Sequence, residues 1–168
     1  MTELEEYRVS LLQRLEEAAK EFRAEVLAVK DPFAPLENNH WSVHQIAVHT
    51  RDVDKLVYGL RARRTAVEDN PEFSTFDGEA YMAAHYDARE SLSELLNGFV
   101  ANVEALIELL RALPGEGWSR LSRHATLGRS LTLQSWVEKD LGHIEEHLET
   151  VKKENRTSPL NESHKDSI

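Results

Sequence analysis

From Ser91 to Leu113 an apolar residue returns every three or four positions: Leu92, Leu95, Phe99, Val103, Leu106, Leu110 and Leu113. On an α-helix, at 3.6 residues per turn, these side chains form one stripe about six turns long. No polar residue interrupts it. Such a stripe must be covered along its whole length, and helices of similar length are the natural cover. The sequence supplies three. The first starts at a capping box, Thr2 with Glu5, carries Leu4, Leu11, Leu15, Ala18, Phe22, Val26 and Val29 inward, and stops before Asp31-Pro32. The second opens at Ser42 with Gln45, under a Trp41–Ile46 staple, and runs to about Thr65. The last opens at Thr132 under a Leu131–Trp136 staple and runs to about Lys153, where Lys152 and Lys153 suit the negative helix end.

The remaining segments read as connectors. "DPFAPLENNH" and "EDNPEFSTFDG" are loops, a short helix follows at Glu79–Tyr86, Pro114-Gly115 ends the third long helix, and "GEGWSRLSRHATLGRS" is a loop with a turn at Gly128. The fold class expected is all-α: an antiparallel four-helix bundle with a short extra helix and a flexible C-terminal tail. Residues 1–154 make the bundle domain, and the polar stretch 155–168 is a disordered tail. Connections of roughly 12 and 25 residues leave the order of the helices open.

Charge and composition narrow the function. A net charge of −10 repels a phosphate backbone, so nucleic acid is not an expected partner. No apolar run reaches 18 residues, so no membrane span is expected. The start, "MTELEEYRVSLLQ", lacks the basic beginning and apolar run of a signal peptide, and the expected location is cytoplasmic. There is no cysteine, which removes disulfides, thiolate ligands and a cysteine nucleophile.

The inward stripes of two helices carry polar residues. Helix two presents Ile46, His49, Val53, Leu56 and Leu60; helix four presents Leu133, Trp136, Asp140, His143, His147 and Val151. A buried polar side chain without a partner costs about 1–3 kcal/mol. Three imidazoles in one core therefore call for something that satisfies them together. His143 and His147, four residues apart, rise about 6 Å along the axis and face the same way, so both can bind one ion. His49 on a facing helix supplies a third ligand. Asp140, one turn before His143, is a candidate outer partner for a ligand imidazole, as are Asp52 and Gln45 beside His49 and His124 in the loop before helix four. Of the other histidines, His44 is expected at the surface, His40 in a loop, His85 exposed or structural and His164 in the tail. Trp41, Trp118 and Trp136 are core or staple residues.

"WSVHQIAVHT", "RHATLGRSLTLQSW" and "HIEEH" together resemble the DinB/YfiT-like superfamily of metal-binding four-helix bundles, over about residues 3–153. The pattern of one histidine in helix two and H-x-x-x-H in helix four falls on His49, His143 and His147. The resemblance implies an up-down-down-up helix order and one divalent metal ion held by those three residues. Zinc, nickel and iron(II) all accept imidazole. It also implies metal-dependent chemistry on a small thiol, since family members include S-transferases that use bacillithiol and a related branch that uses mycothiol. Three neutral ligands leave a coordination position open, and a chain without cysteine must take its thiol from a low-molecular-weight cosubstrate. A hydrolase or isomerase in which the ion activates water is the first alternative, and a non-catalytic, metal-braced stress-response protein the second. The expected partners are a small-molecule substrate or thiol and a second copy of the chain in a homodimer. A pocket over the metal is expected at the end where helix two begins and helix four ends, rimmed by Asn38–Trp41 and by the loop after helix three.

Overall fold

The computed structural model describes residues 1–37 and 41–158. Helix α1 (Glu3–Ala28) begins at the Thr2–Glu5 capping box. Helix α2 (Val43–Val53) begins at the Ser42–Gln45 box. A π-helical turn, Asp54–Tyr58, joins it without a break to α3 (Gly59–Val67). Helix α4 (Gly78–His85) is the short extra helix, capped by Asp77. Helices α5 (Leu92–Arg111) and α6 (Leu133–Thr157) are capped by Ser91 and Thr132. No helix among the described residues is long and apolar enough to cross a membrane.

Three corrections to the sequence reading follow. The first concerns direction. Tyr7, Arg14 and Glu21 of α1 pair with Glu138, Glu145 and Lys152 of α6, a constant offset of 131 positions, so these two helices run parallel. Glu16, Lys20 and Arg23 of α1 meet Arg111, Glu104 and Asn97, a falling series, so α5 runs the other way. His49 meets His143 and Arg61 meets Trp136, so α2–α3 also opposes α6. The order is up-down-down-up, and the bundle is not uniformly antiparallel.

The second correction is a small sheet. β1 (Glu72–Phe73) pairs in parallel with β2 (Leu121–His124), and β2 pairs antiparallel with β3 (Gly128–Thr132). The protein is therefore mostly helical rather than strictly all-α. Gly128, at φ +111°, takes the turn into β3, a conformation that side chains rarely adopt. The sheet closes one end of the bundle. Arg120 donates to the carbonyls of Thr65 and Glu68 at the last turn of α3, where unpaired carbonyls need donors. Ser122 Oγ accepts the Trp136 indole N–H at 2.7 Å and donates to the Leu131 carbonyl.

The third is the phase of helix two. Ile46 and Val53 are buried as expected, but from the π turn on the buried positions are Asp54, Val57, Gly59, Arg61, Ala62, Thr65 and Ala66. Leu60 is exposed. A π turn inserts one residue into the helical repeat, so the inward stripe moves on by one position, from Leu56 and Leu60 to Val57 and Arg61. Arg61 is buried between aromatic rings, 4.9 Å from the Trp136 centroid and 5.8 Å from that of Phe73, and donates to the Ser74 carbonyl.

At the C-terminus α6 continues through 155–157, with Asn155 Nδ2 donating to the carbonyl and side chain of Glu25 on α1. The expected disordered tail therefore does not start at 155. Residues 159–168, including His164, lie outside the described residues.

Candidate metal centre

His49 comes from α2, a little over one turn before the π turn begins, and His143 and His147 from successive turns of α6. Because the two helices oppose each other, all three side chains meet. His143 Nε2 lies 3.1 Å from His49 Nε2 and 3.1 Å from His147 Nε2. All three ligand nitrogens lie within 4.8 Å of one another. An imidazole nitrogen has either one hydrogen or one in-plane lone pair. His143 Nε2 can thus make one good hydrogen bond to its two neighbours, not two. One cation satisfies all three lone pairs. Two nitrogens bound at about 2.0–2.1 Å to one zinc ion stand roughly 3.0–3.4 Å apart, so the observed spacing fits such an ion.

The electrostatics agree. Burial pushes His49 down to about 4, with His147 adding to the fall while Asp52 and Glu146 oppose it. Burial, then His147 and His49, push His143 down to about 3, and burial takes His147 to about 4. At neutral pH all three rings are uncharged with lone pairs free, the state in which histidine binds a metal.

The walls are aromatic. The Trp41 ring lies 4.7 Å from the His49 ring, and that of Tyr58, from the π turn, 5.7 Å from the His143 ring. The first turn of α4 closes over His49: a Cβ on Gly78 would stand 3.0 Å from His49 Cε1. The rim expected from the loop after helix three is not there, because that loop is anchored by Arg120 to the far end of α3. Of the other expected rim, Asn38–His40 lie outside the described residues.

Behind His143 sits a second polar group. Asp140 and Asp54 are both fully buried. Asn102 Nδ2 donates to Asp54 Oδ2 at 2.5 Å, and Arg63 holds Asn102 through its carbonyl. Burial, then the charge of Asp54 beside it, hold the Asp140 carboxyl well above the usual carboxylate range. Two facing carboxylates in such surroundings keep a proton between them. Gly59 makes room for the pair, since a Cβ there would fall 2.4 Å from the Asp54 carbonyl oxygen and 2.9 Å from Asp54 Oδ1.

Among the described residues, the other candidates make their hydrogen bonds away from the triad. Asp52 accepts from Arg51, which also pairs with Glu90. Gln45 is used in the helix cap. His124 lies on β2, where Nδ1 accepts from the backbone N–H groups of Thr126 and Leu127; none of its hydrogen bonds reaches the triad. His85 is exposed and stacks on Tyr81. His40 lies outside the described residues. His44 is a correction: it is fully buried. Its Nε2 donates to the Glu90 carbonyl at 3.0 Å, its Nδ1 accepts from the Tyr86 hydroxyl at 2.9 Å, and its ring stacks on Phe33 at 4.7 Å. The outer face of the first turn of α2 is covered because the connector folds back on it, with His44 N–H donating to the Pro32 carbonyl. Asp54, Tyr58 and Gly78 were not visible in sequence. Asp54 reads as the polar neighbour of an inward Val53, and only the long-range fold brings Gly78 to His49.

A family model of the DinB superfamily matches residues 3–151. The chain belongs to the DinB superfamily. This DinB chain is also similar in fold to YfiT from Bacillus subtilis, with a TM-score of 0.80 and 21% identity, covering 93% of this chain and 89% of that one. YfiT is described as a probable metal-dependent hydrolase with an unusual four-helix bundle topology. No curated protein matches the chain.

Proposed function

We propose that the protein is a metal-dependent enzyme that activates a small nucleophile at the His49–His143–His147 centre. The observation that carries this reading is the convergence of three neutral Nε2 atoms from two opposed helices. A divalent ion held there, zinc, nickel or iron(II), supplies Lewis acidity that lowers the pKa of a thiol or a water. The chain's own residues do the rest. The three imidazoles would hold the ion, Trp41 and Tyr58 pack beside His49 and His143, and Gly78 lets the first turn of α4 come close to the His49 ring.

The nucleophile we favour is a low-molecular-weight thiol of the bacillithiol or mycothiol type. The reaction forms a bond from its sulfur to an electrophilic carbon as the bond from that carbon to its leaving group breaks, and the thiol proton passes to solvent or to the leaving group. The chain has no cysteine, so such sulfur must come from the cosubstrate. Hydrolysis is the second reading, favoured by the likeness to YfiT. Titration of the cobalt(II)-loaded protein with bacillithiol, mycothiol, glutathione and a simple thiol separates the two. Thiol chemistry requires a sulfur-to-cobalt charge-transfer band and release of a proton. Absence of the band with all four leaves hydrolysis as the better reading. Failure to bind any divalent ion removes both.

A further inference from the structure

Among the described residues, four buried side-chain atoms have no hydrogen-bond partner: Asp54 Oδ1, Asp140 Oδ1, Asp140 Oδ2 and His143 Nδ1. They are not scattered. Asp54 of the π turn and Asp140 of α6 face each other, and Asp140 stands one turn before His143 on the same inward stripe of α6. Side chains on a helix lean toward its N-terminus, so His143 leans toward Asp140. Its Nε2 is committed to the triad. A neutral imidazole that offers Nε2 to an ion carries its hydrogen on Nδ1, the atom left without a partner. The count of donors and acceptors then closes. One proton held between Asp54 Oδ1 and one oxygen of Asp140 satisfies both. The structure holds no hydrogen bond between His143 Nδ1 and Asp140, and a small turn of the imidazole as an ion seats would bring Nδ1–H to the other oxygen of Asp140, one turn away on the same helix.

We propose that Asp54, Asp140 and His143 form a hydrogen-bonded chain in which the carboxyl pair positions His143 and fixes its tautomer for the metal. The proposal rests on the metal-centre reading. Asp140 is a positioning residue, since it touches neither ion nor substrate. Asp54 is the brace behind it, held by Asn102, whose carbonyl accepts from Arg63, and seated in the space that Gly59 leaves. The π turn has a reason in this account: it sets Asp54 and Tyr58 on the side of the helix that faces α6. An acceptor on Nδ1 makes a metal-binding imidazole more basic and holds its ring in one orientation, and loss of such a partner weakens metal binding roughly 10–100-fold.

The test measures zinc affinity of the full chain by competition with a chromophoric chelator, beside the melting temperature of the metal-free protein. The variants are Asp140→Leu and Asp140→Asn. Leucine fills the space and removes both acceptors, so zinc affinity should fall roughly 10–100-fold while the metal-free protein melts no lower than the parent. Asparagine keeps an acceptor for His143 and a donor for Asp54, so affinity should fall less than with leucine. A purely packing role for Asp140 would make affinity follow melting temperature. If Asp140→Leu fails to fold, the ring nitrogens of His143 in zinc-loaded protein decide, read by long-range 1H–15N correlation. The Nδ1 signal should be protonated and should move in Asp140→Asn. Zinc affinity within twofold of the parent in Asp140→Leu, or an Nδ1 signal unmoved in Asp140→Asn, overturns the chain. Failure of the parent itself to bind zinc overturns the metal centre and the chain with it.

Discussion

Gly59→Ala should destabilise the protein, although alanine in place of glycine inside a helix normally does the reverse. The general expectation is a gain of up to about 1 kcal/mol, because alanine loses less backbone entropy on folding. At Gly59 a Cβ meets the Asp54 carbonyl oxygen at 2.4 Å and Asp54 Oδ1 at 2.9 Å. Carbon and oxygen do not approach so closely, and the nearer atom is backbone, bonded to the Gly59 N–H as the π turn closes. It cannot rotate away. Relief requires moving Asp54 or rewinding the π turn, and rewinding would turn Arg61 and Thr65 out of their buried positions. Overpacking costs about 1–3 kcal/mol. With a rigid obstacle the upper half of that range applies, and after the entropy gain a net loss of about 1–2 kcal/mol remains. For a chain of this size that lowers the melting temperature by roughly 2–8 °C. Gly98 and Gly142, inside α5 and α6, have nothing within 4 Å of an added Cβ and serve as controls. Alanine at either should raise it by roughly 1–4 °C. Calorimetry of the metal-free proteins measures all three. If Gly59→Ala melts as high as the Gly98 and Gly142 variants, the close packing of the π turn against Asp54 is wrong.

Three further outcomes are expected. His49→Ala, His143→Ala and His147→Ala should each lose bound zinc by elemental analysis; His44→Ala should keep it but lose about 2–4 kcal/mol of stability, because the Tyr86 hydroxyl and Glu90 carbonyl lose their buried partner. Metal-free protein should lose stability as pH falls from about 6.5 to 4: the three triad histidines are held down at about 4, 3 and 4 in the fold, so in that window the unfolded chain binds more protons. The slope is up to about 1.4 kcal/mol per pH unit for each ring. The Asp54–Asp140 pair acts oppositely, because it is raised in the fold and takes up a proton on folding. Asp140→Asn should therefore steepen the acid-side loss seen by urea titration, and an unchanged slope would contradict the buried carboxyl pair. Gly78→Ala should weaken zinc binding roughly threefold to tenfold with little change in melting temperature, by pushing the His49 ring a few tenths of an ångström; equal affinity would mean that α4 does not constrain that ring.

Local pattern was enough to read much of this protein. The capping boxes at Thr2 and Ser42, the cap at Thr132 and the apolar stripe of α5 depend on residues a few positions apart, and they are found where the sequence places them. The inward stripe of α6 was legible for the same reason, and with it His143, His147 and Asp140. His49 was legible because it precedes the π turn, where the 3.6-residue repeat still holds. Beyond that turn the repeat slips by one, and Leu60 comes out exposed where an inward residue was expected. Nothing local announces a π turn, whose extra residue is stabilised by what Asp54 meets on α5 and α6. The strands are too short for an alternating pattern to show, and exist because β1 and β2, about fifty residues apart, meet over the end of the bundle. Direction is the same kind of property: each helix buries the same stripe whether its neighbour runs parallel or opposed, and only long-range pairs such as Tyr7–Glu138 distinguish the two. His44 and Asp54 owe their burial to chain that arrives from far away. The sequence by itself determined which side chains each helix turns inward; the tertiary structure decided which of those from different helices meet, because periodicity is a property of one helix and a metal centre is a property of two.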